Sequence, residues 1–203
     1  MDDAPLVYVV DDDASVRDAL DSLFRSMGMR VEAYPSPSAF LARKPTDAEC
    51  CLVLDVRLPG VSGLDFQTQL NQSGSDIPIV FMTGHGDVPM SVRAMKAGAT
   101  DFLMKPFRDQ DMLDAVSAAL ARNREQRALK RHQSALAAHY DTLTPREREV
   151  MTLVTKGLMN KQVAGELGVS EITVKIHRGH VMTKMGARTL ADLVRMQEAL
   201  GKT

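Results

Sequence analysis

The sequence predicts a doubly wound α/β domain with a parallel five-stranded sheet, followed by a helical linker and a small all-α domain of four helices. Over the first 120 residues, short apolar runs alternate with segments of helical periodicity, as in parallel strands joined by crossover helices. After residue 140, four helical segments follow one another between capping residues and glycines. We therefore expect domains at 1–120 and 141–203, joined by a linker at 121–140.

Four short apolar runs and one mixed segment are the predicted strands. The third predicted strand is a continuous apolar run that ends abruptly on a carboxylate, Asp55, which is typical of a central strand buried on both faces. The fourth run is interrupted once, by Pro78. The predicted strands are Leu6–Val10, Arg30–Tyr34, Cys50–Asp55, 77–82 and 102–104. Because crossovers between parallel strands are right-handed, the sheet should have the flavodoxin-like order.

Helical periodicity fills the intervals between these strands. In the first interval, apolar residues recur every three or four positions until Gly28 ends the helix. The later helices are expected to begin at Ser38 and to cover 64–70, 88–97 and 110–121. Residues 121–140 contain no glycine or proline, so the fifth helix is expected to continue into the linker. The apolar heptads fail there, which disfavours a strong coiled coil.

Capping signals delimit the C-terminal helices. The first is a capping box with proline at the first helical position, and the others are single Asn, Ser or Thr residues. The expected caps are Thr144, Asn160, Ser170 and Thr189. The second helix, 161–167, is joined to the third by a short turn at Gly168, and the third ends at about Met185. This arrangement is a helix-turn-helix, whose second helix would enter the major groove of DNA.

Charge is distributed unevenly along the chain. The net charge is −1, but residues 1–120 carry 18 acidic and 10 basic side chains, whereas residues 121–203 carry 8 and 15. A small basic domain favours a polyanion as its partner. The two cysteines adjoin each other in a strand and point to opposite faces, so no disulfide is expected. With no apolar run long enough for a bilayer and an acidic N-terminus, we expect a cytoplasmic protein without a membrane partner.

Polar residues follow the predicted strands at one edge of the sheet. They are Asp11, Asp12, Asp55, Thr83 and Lys105. Because the carboxyl ends of parallel strands meet at the same edge, these side chains are expected to converge on one pocket. Three neighbouring carboxylates repel one another unless a cation lies among them, and oxygen ligands suit a hard ion such as Mg²⁺.

Short motifs at these strand ends are more specific than any single residue. They are Val-Val-Asp-Asp-Asp at 9–13, Leu-Asp-Val-Arg-Leu-Pro-Gly at 54–60, Met-Thr-Gly-His at 82–85 and Lys-Pro-Phe at 105–107. Over residues 1 to about 120 the chain thereby resembles the receiver domain of bacterial two-component response regulators. The resemblance implies that Asp55 is the phospho-acceptor and that a sensor histidine kinase supplies the phosphoryl group.

The same resemblance implies roles for the other pocket residues. The metal, Mg²⁺ or Mn²⁺, would be held by Asp12, Asp55 and the backbone carbonyl of Arg57, with Asp11 acting mainly through water. The phosphoryl oxygens would be bound by Thr83 and Lys105. The switch aromatic would be Phe102, and the Lys105–Pro106 peptide bond would be cis.

Three C-terminal segments, 143–150, 157–161 and 173–177, resemble the LuxR-type DNA-binding domain over roughly residues 140–200. By analogy, the groove-facing residues of the recognition helix would be Lys175, His177 and Arg178, with Ile176 touching a base methyl. Phosphate contacts would come from Lys161 and Thr173. Some family members have a second lysine where this chain has Gly179, which suggests a different operator.

The two resemblances together imply a response regulator of the FixJ/NarL branch. Phosphorylation would promote a homodimer, through the fourth helix and fifth strand, that binds inverted-repeat double-stranded promoter DNA, with RNA polymerase as a further partner. The last helix, with Leu190, Leu193 and Val194, would pair the DNA-binding domains. The chain would then be no enzyme beyond autophosphotransfer and autodephosphorylation at Asp55.

Two other classes of protein remain as alternatives. A phosphatase of the haloacid dehalogenase type needs a second aspartate two residues after its nucleophile, and here that position is Arg57. A helical module that binds protein or RNA would lack salt-dependent binding to duplex DNA. His177 and His180 share a helix face, but no cysteine or carboxylate is expected to complete a zinc set, so no metal is expected there. Whether Arg146 and Arg148 contact DNA or neighbouring glutamates stays open.

Overall fold

The computed structural model describes residues 4–44 and 46–201, and the chain divides between Arg127 and Ala128 into two compact units. The first unit contains a five-stranded sheet in the order β2-β1-β3-β4-β5, with every pair parallel. The strands are β1 Leu6–Val10, β2 Arg30–Tyr34, β3 Cys50–Asp55, β4 Ile79–Thr83 and β5 Asp101–Met104. The predicted flavodoxin-like sheet is confirmed.

Helices cover both faces of this sheet. They are α1 Ala14–Ser26, α2 Pro37–Leu41, α3 Gly63–Gln72, α4 Val88–Lys96 and α5 Asp109–Asp141. Alternate residues of β3 point to opposite faces, so Leu52 packs into a core with α2 and α3, whereas Val53 packs into a core with α1 and α5. Both cores consist of buried apolar side chains, with partly buried ones packed against them. This double burial explains why the β3 sequence is continuously apolar until Asp55.

The fourth strand begins and ends later than predicted. It spans Ile79–Thr83 rather than 77–82, because Pro78 has no N–H to donate to a neighbouring strand. The Pro78 carbonyl still accepts a hydrogen bond from the Leu52 N–H at 2.9 Å. The shift makes Thr83 the last residue of the strand, paired with Met104. The second helix begins at Pro37 rather than Ser38, since Ser36 caps it.

Helix α5 runs without interruption from Asp109 to Asp141, as the absence of glycine and proline predicts. Three successive polar contacts tie its middle to the chain before and at the start of β3. Asn123 Oδ1 accepts from the Cys50 N–H at 3.0 Å, Arg124 binds Glu49 through two 2.9 Å bonds, and Arg127 pairs with the Asp47 carboxylate at 2.8 Å. Through these contacts, the first compact unit extends along α5 to Arg127.

The second unit contains the end of α5 and four further helices, α6 Pro145–Thr155, α7 Asn160–Leu167, α8 Glu171–Met185 and α9 Leu190–Ala199. Thr144, Ser170 and Thr189 cap α6, α8 and α9 as predicted. The predicted cap at Asn160 is wrong. Met159 is the cap residue, and the Gln162 side chain accepts its N–H at 2.8 Å. Within the described residues, no helix is both long and apolar enough to cross a membrane.

Candidate functional site

The carboxyl edge of the sheet gathers an ammonium and two carboxylates. Lys105 Nζ lies 2.6 Å from Asp11 Oδ2 and 2.9 Å from Asp55 Oδ2. Asp55 ends β3, Asp11 follows β1 directly, and Lys105 follows β5 directly, so parallel strand ends bring them together as expected. Asp11 is fully buried and Asp55 is only 7% exposed. The Lys105–Pro106 peptide bond is cis, as predicted.

Asp12 completes an acidic cluster with Asp11 and Asp55. Oxygens of the three carboxylates lie within 4.8 Å of one another. The second oxygen of Asp55 accepts the Arg57 N–H at 3.0 Å, and that of Asp11 accepts the Asp13 N–H at 2.8 Å. The role of the Arg57 carbonyl as a metal ligand stays a prediction. A purely oxygen donor set of this kind fits a hard divalent cation.

The electrostatics of the pocket favour an added cation. Burial lowers the pKa of Lys105, but its hydrogen bonds to Asp11 and Asp55 outweigh burial, so the pKa is raised and the ammonium stays charged. Burial raises the pKa of Asp11 despite the nearby ammonium. Three carboxylates against one ammonium leave the ionised cluster with excess negative charge. A phosphoryl anion cannot approach such a cluster readily unless a divalent cation neutralises it.

Thr83 and Phe102 lie on the strands next to the acceptor. Thr83 is fully buried at the end of β4, and its Oγ1 accepts the His85 N–H at 3.3 Å. Phe102, half-buried, packs against Phe81 with ring centroids 6.2 Å apart. A Cβ on Gly86 would lie 2.5 Å from the Met104 sulfur and 3.0 Å from both Phe102 and Thr83. The loop after β4 is therefore close to both Thr83 and Phe102, and composition alone did not single out Gly86.

Gly63 allows α3 to begin directly against the acceptor strand. Its N–H donates to the Val56 carbonyl at 2.9 Å, and a Cβ there would lie 2.4 Å from the Asp55 carbonyl oxygen. Because the neighbouring atoms are backbone, they cannot move away as a flexible side chain could. The sequence predicts the third helix from residue 64, and only packing shows that glycine is required at position 63.

We expect Gly63→Ala to lower the free energy of unfolding by about 1–3 kcal/mol, the usual cost of overpacking. It should also slow phosphorylation, because the clash displaces the Asp55 backbone. Thermal unfolding and phosphodonor labelling measure the two effects. Gly84→Ala is the matched control, since a Cβ at Gly84 meets no atom within 4 Å. Equal stability of the two variants would contradict this account.

The helix-turn-helix consists of α7 and α8, joined through Gly168 in the left-handed conformation with φ of 66°. Lys161, Lys175 and Ile176 are exposed as predicted for DNA contacts. Ile172 is 73% exposed one helical turn before Ile176, and it was not among the predicted contacts. Its signal was an apolar residue four positions before Ile176, on the polar side of the helix. The exposed face of α8 thus combines one ammonium with two isoleucines.

The remaining predicted contacts turn partly toward the domain. Arg178 is half-buried and donates to Asn160 Oδ1 at 3.0 Å, so its guanidinium is engaged by the start of α7. The Thr173 hydroxyl lies 2.8 Å from Ser170 Oγ. His177 is half-buried, with its Nδ1 enclosed by the domain. The contacts of these three residues with DNA stay a prediction.

Arg146 and Arg148 are both engaged within the domain. Arg146 pairs with Glu149 at 2.6 Å and donates to the Leu167 carbonyl. Arg148 stacks over the Tyr140 ring at 4.8 Å. Of the two alternatives left open by the sequence, the structure therefore favours contacts inside the protein.

The expectation that no carboxylate accompanies His177 and His180 is wrong. Glu147 comes from α6, and donor atoms of the three side chains lie within 4.8 Å of one another. Burial raises the Glu147 pKa, but hydrogen bonds from Lys184 and Thr144 outweigh it and lower the pKa to about 2. The packing of α6 on α8 creates this cluster, so residues distant in sequence meet there.

Comparison with known families decides what the pocket belongs to. A family model described as response regulator receiver domain matches residues 7–117, which is more than half of the chain. The chain belongs to the response regulators. A second model, described as bacterial regulatory proteins of the luxR family, matches residues 141–197. This response regulator therefore joins a receiver domain to a LuxR-type DNA-binding domain, as its motifs predicted.

Similar proteins share the whole length of this response regulator. Nodulation protein W of Bradyrhizobium diazoefficiens is 60% identical, over 97% of this chain and 86% of the relative. The transcriptional regulatory protein FixJ of Azorhizobium caulinodans is 46% identical, over 94% and 90%. Among solved structures, response regulator StyR matches with a TM-score of 0.87 and 50% identity, over 96% of this chain and 98% of StyR. The predicted likeness to FixJ is thus confirmed.

Proposed function

We propose that this response regulator accepts a phosphoryl group on Asp55 from a sensor histidine kinase and then binds promoter DNA as a dimer. The observation that carries this proposal is the Lys105 ammonium held between Asp11 and Asp55. The bridge places a nucleophilic carboxylate and a cationic partner for phosphoryl oxygens in the same pocket. Since both partners of this signalling step are intracellular, the proposal includes a cytoplasmic location.

The transfer needs a single substitution at phosphorus. An Asp55 carboxylate oxygen forms a bond to phosphorus while the P–N bond of the kinase phosphohistidine breaks, and the electron pair stays on the imidazole. Lys105 binds an equatorial oxygen of the transferring group. After transfer, the Thr83 hydroxyl donates a hydrogen bond to the phosphoryl group and draws the loop after β4 inward. Phe102 then fills the space that this loop vacates. When bound by Asp11, Asp12 and Asp55, Mg²⁺ or Mn²⁺ supplies neutralising charge for the phosphoryl oxygens.

Phosphorylation should require Mg²⁺ or Mn²⁺, and Asp12→Ala should weaken metal binding more than Asp11→Ala does. Asp11 already binds Lys105 and the Asp13 N–H, whereas Asp12 is exposed beside the pocket. The chain has no tryptophan whose fluorescence could report metal binding. Isothermal titration calorimetry, or electron paramagnetic resonance of Mn²⁺, is therefore the suitable measurement. Asp18→Ala, an exposed carboxylate on α1, is the control. Unchanged metal affinity in Asp12→Ala would count against the proposed metal set.

An apolar groove beside Lys105 suits a kinase that must deliver its phosphohistidine to Asp55. The groove is lined by Val16, Ala19, Leu20 and Leu23 of α1 and by Pro106 and Phe107. Ala19 is exposed, so a charge there would face the partner without entering the core. Ala19→Asp should slow phosphotransfer from a histidine kinase about tenfold, one lost apolar contact being worth roughly 1–2 kcal/mol. Labelling by a small phosphodonor should stay unchanged, and an equal loss with both donors would contradict a docking role.

The proposed dimer surface lies on α4 and β5. Val88, Val92, Met95 and Met104 are all exposed there, with Val88 at 75%. The loop after β4, which is close to Thr83 and Phe102 at Gly86, leads directly into α4. A change at the pocket can therefore alter this apolar surface.

Leu193 does not take part in pairing the DNA-binding domains. The expectation that it would is wrong, because Leu193 is fully buried in the core of its own unit. Leu190, at 37% exposure, and the half-buried Val194 remain available on α9. We further propose that the chain catalyses nothing beyond its own phosphorylation and dephosphorylation, since Arg57 stands where an aspartyl phosphatase has its second aspartate.

A further inference from the structure

The His–Glu cluster, which consists of Glu147, His177 and His180, lies in the second unit and is separate from the acidic pocket of the first. Of its three residues, only His177 is also a predicted DNA contact. Glu147 stands at the start of α6, and the two histidines are three residues apart on α8. His180 Nδ1 is 3.4 Å from Glu147 Oε1. His177 Nδ1 is enclosed and has no hydrogen-bond partner among the residues that the structure describes, although a buried ring nitrogen normally has one.

The carboxylate of Glu147 is already oriented by its neighbours. Lys184 Nζ and the Thr144 N–H both bind Oε2, at 2.6 and 2.8 Å. The other oxygen, Oε1, faces the His180 imidazole at 3.4 Å. Hydrogen-bonded partners that fix one oxygen of a carboxylate are a regular feature of metal sites, where they hold the ligating oxygen in place.

We propose that the His–Glu cluster binds a borderline divalent transition metal, with Zn²⁺ as the representative ion, through Glu147 Oε1 and one ring nitrogen of each histidine. Two imidazoles and one carboxylate form a donor set that Zn²⁺ accepts and that the hard ion Mg²⁺ does not prefer. A fourth position would be left for water.

The distances agree with this assignment. In a tetrahedral site with bonds of about 2.0–2.1 Å, donor atoms are separated by about 3.3 Å. The His180–Glu147 pair already has this spacing, at 3.4 Å, and all three donors lie within 4.8 Å. Small side-chain rotations of the two histidines would close the rest. Lys184 lowers the affinity by repulsion, but it is 35% exposed and therefore screened by solvent.

A metal here would connect the recognition helix to the start of α6. His177 precedes Arg178 and follows Ile176 on α8, so a coordinated His177 would be directed away from DNA. The site would thus add a metal-dependent restraint on the recognition helix that is independent of Asp55. Zn²⁺ binding to the His–Glu cluster can therefore be measured whether or not Asp55 is phosphorylated.

The test is a Zn²⁺ titration of the full chain in excess Mg²⁺, which occupies the acidic pocket. Isothermal titration should show one Zn²⁺ per chain, and His180→Ala and His177→Ala should each weaken binding by more than the roughly 10–100-fold cost of losing an outer partner. His180 is 59% exposed, so its replacement leaves the fold intact. His132→Ala, an exposed histidine on α5, is the matched control and should bind as the parent does.

A second measurement makes the assignment specific. Zn²⁺ should shift the imidazole nitrogen resonances of His177 and His180 and leave those of His132 unmoved. The proposal is overturned if both alanine variants bind Zn²⁺ with the parent affinity, or if the shifted signals belong to other histidines. Absence of any saturable Zn²⁺ binding by the parent overturns it as well.

Discussion

Asp55→Asn should abolish labelling of the chain by a small acyl phosphate in Mg²⁺. The change preserves the shape of the side chain and its place beneath Lys105, but an amide lacks the nucleophilic carboxylate oxygen that forms the bond to phosphorus. Complete loss is expected because Asp11, the other carboxylate at Lys105, is fully buried and cannot take over. Intact-mass analysis measures the effect directly as the fraction of chains that carry one phosphate.

Asp65→Asn is the appropriate control for this experiment. Asp65 is an exposed carboxylate in the first turn of α3, close in sequence to the acceptor loop. The Asp65→Asn chain should be labelled on Asp55 to the same extent as the parent chain. Phosphate on the Asp55→Asn chain at that same extent would show that another residue is the acceptor, and the proposed function would then lose its site.

The parts of this structure that were predictable from sequence depend on local pattern. Apolar runs predicted four of the five strands, and the shared direction of the strands predicted that Asp11, Asp55 and Lys105 meet at one edge, as they do in the structure. Where one residue overrides the pattern, the predicted bounds of the element differ from the observed ones by one or two residues. Pro78 moved the start of β4, because an apolar run does not reveal which backbone N–H groups a sheet needs.

The parts that were not predictable depend on contacts between distant residues. Glu147 meets His180 only because α6 packs on α8. Arg178 donates a hydrogen bond to the Asn160 side chain, which does not cap α7 because Met159 is the cap residue. Leu193 had the periodicity of either a core or an interface residue, and burial alone distinguishes the two. Helical periodicity states which residues share a face, but it does not state which partner covers that face.

The output of the switch should depend on two lysines in different ways. Phosphorylation should raise affinity for an inverted-repeat site, because a single recognition helix makes few base contacts and two half-sites need a symmetric dimer. Lys175 is exposed on α8 between the two exposed isoleucines. Lys175→Ala should therefore remove about 1–3 kcal/mol of discrimination between operator and random duplex. Phosphate binding by Lys161 carries no sequence information.

Lys161→Ala should weaken binding to all sequences alike and lower the salt slope by about one. The measurement is a salt series on operator and random duplex, with and without phosphodonor.

Val92→Asp places a charge on the exposed apolar surface of α4. It should remove the gain in DNA affinity on phosphorylation while leaving the DNA affinity of the unphosphorylated chain unchanged. Binding to duplex DNA without salt dependence would favour the protein-interaction alternative. Identical affinity and stoichiometry in both phosphorylation states would leave the DNA-binding domain intact but refute the switch.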